Sequence, residues 1–341
     1  MTVPYGSTVI TEGTAGSADL AGSAAFKRFS NQPLLLVGVG AATISASPIF
    51  VVLSGASPVS TAFYRSLLAL PVLVAFAAIE RRRHGDRSRK QRLTAFAAGA
   101  FLAVDLILWT HAIADIGAGA ATVLGNLQVL IVAGLAWLIW HERPSRAVGS
   151  ALPVVMVGVV LVSGLIGKSV AGHHPLPGVG YGLVMAFAYS CYLMMLRRSS
   201  ADSAHVAGPV ADATAGATVT SLVVGLVGGG LALHPIWPAI FWLAMLALIS
   251  QVAGWLLITS SLPRLPAAIG SLMLLVQPAA SLGLAALILG ERPSLLQYLG
   301  AALTCAGALA ASLATVKTEA TASAPGLATT RQAQAAPPPP A

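Results

Sequence analysis

Charge is scarce in this chain: 9% of its 341 residues are Asp, Glu, Lys or Arg, against about 25% in soluble domains. So few charges cannot cover a water-facing surface, which excludes an ordinary soluble fold. Cysteine is nearly absent. Cys191 and Cys305 both sit in apolar runs with no CxxC or Cys/His neighbourhood, so neither a metal site nor a redox pair is suggested, and both read as inert buried thiols. The sequence has no HExxH motif and no phosphate loop. Gly225, Gly228, Gly229 and Gly230 come with no basic residue or strand, so they read as sites of close helix contact. No cofactor or metal is called for. The net charge of +8 would suit nucleic acid only as a basic face on a soluble domain, and none exists, so nucleic acid is excluded as a partner.

Long apolar runs are what the chain does have. Mean hydropathy is +0.82, and charge-poor stretches recur over 33–54, 59–79, 93–114, 117–140, 147–166, 177–196, 209–232, 238–260, 266–289 and 295–315. Each is long enough to cross a hydrocarbon core of about 30 Å as a helix. The runs are continuously apolar and lack the alternation of barrel strands, so the expected fold is an all-α membrane protein of about ten transmembrane helices in contact with lipid. With the N-terminus inside, Lys27, Arg28, the cluster from Arg81 to Arg92, Arg143, Arg146, Arg197, Arg198, Arg264, Lys317 and Arg331 all fall on the inner side. Only Lys168 and Arg292 fall outside, and Arg65 lies within a helix. This split predicts a multi-pass protein of the cell membrane with both termini cytoplasmic. Residues 1–32, rich in Gly, Ser, Thr and Ala, and the Ala/Pro-rich tail 316–341 carry no periodic apolar pattern and are expected to be disordered.

A shift of 149 residues lays Ala118 to Ser163 onto Ala267 to Ser312 without a gap. Gln128 falls on Gln277, Gly134-Leu135-Ala136 on Gly283-Leu284-Ala285, and Glu142-Arg143-Pro144-Ser145 on Glu291-Arg292-Pro293-Ser294. Two unrelated apolar helices would share Leu and Ala but not a four-residue polar turn and a glutamine in register. Two five-helix units follow, 33–166 and 177–315 with 167–176 as linker, and an odd helix number makes the repeats inverted. Inverted repeats suit alternating access, because two similar halves give inward-open and outward-open states of nearly equal energy.

The doubled Glu-Arg-Pro-Ser, the Arg in Phe63-Tyr64-Arg65 and the polar-Pro step Gln277-Pro278 resemble the drug/metabolite transporter superfamily, closest to its EamA-type exporters, over roughly 33–315. Two departures are Ile44-Ser45-Ala46-Ser47, where members often carry a Trp-Gly-Ser-like motif, and Val129 in place of the Pro expected after Gln128. The resemblance implies export of small metabolites, amino acids or related compounds, driven by an ion gradient or by the substrate gradient alone. A homodimer is compatible with it.

Asp105 carries the sharpest single signal. An ionised carboxylate at the centre of a spanning helix costs about 2.5–3.5 kcal/mol on insertion scales, so it must face a cavity, find a partner or carry a proton. Its functional reading is proton coupling or recognition of a substrate ammonium, and the competing one is an interhelical hydrogen bond. Trp109, four residues on, shares its face, whereas His111 does not and reads as interfacial. Gln128 and Gln277 are symmetry mates whose amides suit a polar or zwitterionic substrate; the alternative is packing glue at about 0.6 kcal/mol per bond. Asn126 lies about 200° around the helix from Gln128, so an unbroken helix would not turn both to one cavity. Gln251 and Trp255 form a second polar-aromatic face. Arg65 lies close enough to its helix end to snorkel, with the family match favouring a functional role. Tyr189 and Tyr192 can stack on a ligand or simply pack. In the Glu-Arg-Pro-Ser turns, Pro is expected to open the following helix and Glu142 and Glu291 to suit its dipole.

Two other classes compete with a carrier. A passive channel or facilitator would show continuous flux without counterflow. An intramembrane enzyme needs a nucleophile and base; Gly55-Ala56-Ser57 is followed by Pro58 and has no paired His.

Overall fold

The computed structural model describes residues 33–140, 146–162, 166, 174–200, 205–261, 276–307, 309–310 and 313. The segments expected to be disordered and the Glu142–Ser145 turn lie outside them. The elements are α1 (Pro33–Ser45), α2 (Ser47–Ser54), α3 (Pro58–His84), α4 (Arg89–Ile116), α5 (Ala118–Gly125), α6 (Gln128–Trp140), α7 (Arg146–Val162), α8 (Pro175–Ser200), α9 (Ala207–Gly228), α10 (Ala239–Met245), a π-helical α11 (Leu246–Gly254), α12 (Trp255–Ser261), α13 (Val276–Ile288) and α14 (Leu295–Gly307). No strand occurs among the described residues.

Seven continuous stretches are long and apolar enough to cross a membrane, among them Leu34–Ser54 and Ala118–Ile139. The expected fifth, ninth and tenth crossings correspond to the shorter apolar helices Gly149–Val162, Gln277–Ile288 and Leu295–Gly307, parts of each expected run lying outside the described residues. Large apolar side chains stand exposed along many of these helices, Val74, Phe76, Val184, Phe187, Val223 and Leu287 among them, a spread of apolar surface that suits a hydrocarbon surround.

Local sequence sets the helix ends. α3 opens with Ser57 accepting from Ser60 N–H and Pro58 in its first turn, and it closes on Arg81, Arg82, Arg83 and His84, whose charges suit its negative end. α4 opens with a Ser88/Gln91 capping box. Three crossings are interrupted. Leu34–Ser54 breaks at Ala46 ahead of Pro48, Ala118–Ile139 at Asn126–Leu127, and Ala239–Ile258 passes through the π-helical α11.

α4 packs along α8 and α9, and α9 along α3. The α4–α9 crossing is a glycine contact: a Cβ on Gly216 would stand 2.0 Å from the Phe96 carbonyl oxygen, and one on Gly99 2.1 Å from that of Ala213. Opposite this group, α1 packs on α11, α12 and α13, while α13 crosses α5 at Gly119. Of the four glycines expected to bring helices together, Gly225 does so, against Val59 and Leu231, but Gly228 meets nothing within 4 Å. Gly229 and Gly230 serve differently, taking φ of 79° and 82° in the turn after α9.

The second Glu-Arg-Pro-Ser turn also differs from expectation. Glu291 accepts from Ala118 N–H at 2.8 Å, so it caps α5 rather than the helix that follows it in sequence. Ser294 and Gln297 form reciprocal bonds at the start of α14, which places Pro293 just before the helix and not in its first turn.

Candidate functional site

The two groups of helices enclose a cavity of about 390 Å³. α3 contributes Arg65, α4 Asp105 and Trp109, α8 Tyr189 and Tyr192, and α6, packed on α8, Gln128; from the other side come Gln251, Trp255 and Gln277. Residues read singly from the sequence are thus gathered around one space.

Arg65 does not snorkel. It is buried, its Nε donates to Gln251 Oε1 at 2.9 Å, and its Cζ stands 5.6 Å from the Trp109 ring centroid. An amide acceptor and a π-face replace the water a guanidinium would otherwise seek. The acceptor comes from α11, where π-helical winding resets which side chains face inward; such turns are frequent at functional sites. Asp105 is 9% exposed and makes no hydrogen bond or ion pair among the described residues. The space therefore holds a cationic group and an acidic group that make no contact ion pair among the described residues, although each acts on the other through space.

Further polar atoms on the wall are unused. Gln128 Oε1 and Ser47 Oγ are buried without partners among the described residues, and each such atom costs about 1–3 kcal/mol unless a ligand or water satisfies it. The aromatic side is built from Tyr189 and Tyr192, whose centroids lie 5.6 Å apart at 33°, together with Trp109 and Trp255. The donors, acceptors and ring faces together can hold a small molecule that is polar at one end and apolar elsewhere.

Asn126 and Gln128 both line the cavity, against the expectation from an unbroken helix. The helix ends at Gly125 and restarts at Gln128, so its angular period does not carry through; Asn126 Nδ2 turns back to the carbonyls of Thr122 and Val123, both at 3.3 Å. His111 lies off the cavity against Tyr181, ring centroids 5.1 Å apart. Ile44 and Ser47, from the Ile44–Ser47 stretch singled out in the sequence, also line the wall, whereas sequence reasoning missed Pro48, Met185 and Ser281. Pro48, a helix breaker inside an apolar run, was the available signal for the first of these.

A family model for EamA-like transporters matches twice, over residues 32–164 and 176–313. The chain belongs to the EamA-like transporter family. This places it in the drug/metabolite transporter superfamily and makes it a membrane protein. No curated protein matches the EamA-family chain. A crystal structure carrying no functional description shares its fold, with a TM-score of 0.59 and 18% identity over 82% of this chain and 98% of that one. In this EamA-family protein the cavity draws lining residues from both matched regions, Arg65 and Asp105 from the first, Gln251 and Gln277 from the second.

Proposed function

We infer that this EamA-family protein is a secondary transporter that exports a small metabolite by alternating access of two inverted five-helix repeats, 33–166 and 177–315, with both termini cytoplasmic. The observation that carries the reading is the cavity between the helix groups, lined by both Arg65 and Asp105, with polar atoms of Gln128 and Ser47 that have no partner among the described residues. Its volume of about 390 Å³ falls within the usual 300–1,000 Å³ of small-molecule sites. An amino acid or related zwitterion fits that chemistry: its carboxylate pairs with Arg65, its ammonium with Asp105, and its side chain lies against the Tyr and Trp faces. Tyr189, Gln251, Trp255 and Gln277 complete the substrate's surroundings. Asp105 also suits proton coupling, because it can carry a proton when the cavity is empty and release it to water as the substrate's ammonium takes its place.

The test is reconstitution into liposomes with a panel of labelled amino acids and related amines and acids. Saturable uptake with counterflow of one class supports the reading. Continuous non-saturating flux would replace the carrier with a passive facilitator, and no flux of any zwitterion would overturn the substrate class.

A further inference from the structure

A second cavity, of about 380 Å³, lies at the far end of the bundle between the α3–α4 turn and the first turns of α9. Four guanidinium groups line it, from Arg81, Arg87, Arg89 and Arg92, against the two carboxylates of Asp86 and Asp212. Asp86 is taken by Arg81, and Asp212 by Arg87 at 2.7 Å with Arg92 Nε further off at 3.8 Å. Arg89 forms no ion pair among the described residues. The wall carries four arginines against two carboxylates, with Glu80 a third carboxylate acting on Arg87 from nearby, so among the described residues positive charge is in excess.

The Arg87 side chain is 5% exposed, yet its buried Nε has no acceptor among the described residues. Burial lowers its pKa from the usual arginine value, and Asp212 works against that fall. Arg89, Lys90 and Arg92 crowd the start of α4, which has no acidic residue in its first turn and where the helix's own positive end disfavours cations. An anion in the cavity would answer this adverse charge at the start of α4.

The same cavity is lined by Leu93 and Phe96, which are 58% and 41% exposed and follow Arg89 and Arg92 along one stripe of α4. A soluble anion would leave that apolar half unused, whereas an acidic lipid uses both halves. We propose that this groove binds an anionic phospholipid, with its phosphate against Arg87, Arg89 and Arg92 and an acyl chain along Leu93 and Phe96. Basic pockets between membrane helices are suited to acidic headgroups. A lipid seated here bridges α4 to the α9 residue Asp212 through Arg87, and so ties together two of the helices that carry the larger cavity's wall.

The experiment is native mass spectrometry and thermal unfolding of the full-length protein, purified in detergent, delipidated and titrated with phosphatidylglycerol, phosphatidylcholine or inorganic phosphate. Wild type should retain one phosphatidylglycerol under conditions that strip phosphatidylcholine, and its unfolding temperature should rise with phosphatidylglycerol alone. The R89Q/R92Q variant leaves the Arg87–Asp212 pair in place and should weaken retention about 25-fold, at about fivefold per arginine. Equal retention of the two lipids, undiminished retention in the variant, or displacement by inorganic phosphate would overturn the proposal. Should the variant fail to fold, the wild-type comparison of the three probes decides alone.

Discussion

Replacing Gln251 with leucine removes the one hydrogen-bond acceptor that the buried Arg65 guanidinium has at Nε while keeping a side chain of similar length. A hydrogen bond to a charged group contributes about 1.5–3 kcal/mol, and a buried charged donor left without a partner costs at least as much. Gln251→Leu should therefore destabilise the protein by about 2–3 kcal/mol. The Trp109 face, worth up to about 2 kcal/mol to a desolvated cation, remains and keeps the loss from growing. In an Arg65→Met background the leucine has no charge to strand, so the same substitution should cost less than about 1 kcal/mol. Denaturant unfolding of the four proteins in one detergent gives the coupling energy directly. A value near 2 kcal/mol supports the pairing, whereas additive effects would refute the argument that Gln251 holds Arg65 in the cavity wall.

Asp105→Asn keeps the shape and most hydrogen-bonding capacity but removes ionisation, so in liposomes it should abolish accumulation driven by a pH gradient while leaving substrate exchange; wild-type accumulation in the mutant would remove the coupling role. Gly216→Val places a Cβ where the Phe96 carbonyl oxygen is 2.0 Å away; backbone cannot yield as a side chain can, so stability should fall by at least about 1–3 kcal/mol, read as lost folded yield and a lower unfolding midpoint, and an unchanged midpoint would contradict the close crossing. Cysteines at the exposed His84 and His234 should label oppositely with an impermeant maleimide in intact cells, His234 accessible and His84 protected; labelling of both from outside would overturn the inner assignment of the Arg81–Arg92 cluster.

What could be read from the sequence was whatever depends on composition and local period. Scarce charge and recurrent apolar runs gave helices surrounded by lipid, and the rarity of polar groups inside those runs made Asp105, Gln128, Gln251 and Gln277 stand out. The structure brings them to one cavity because polar side chains in spanning helices avoid lipid and turn inward. What escaped depends on breaks in the helical period or on contacts between distant residues. The interruption at Asn126–Leu127 and the π-helical winding of α11 invalidate a fixed 100° per residue. Arg65 looked free to snorkel because its partner is 186 residues away. Glu291 looked like a local dipole partner because Ala118, which it caps, is separated from it by 173 residues.

The central claim is that the cavity walled by Arg65, Asp105 and Trp109 is where substrate sits. Its most direct test uses a single cysteine at Thr122, which lines that space, in a protein whose Cys191 and Cys305 are replaced by serine, with a control cysteine at the exposed His234, away from the cavity. Maleimide modification at position 122 should stop substrate exchange in liposomes, and transported substrate should slow that modification, while modification at 234 leaves exchange unchanged. Full exchange after complete modification at 122 would contradict the account.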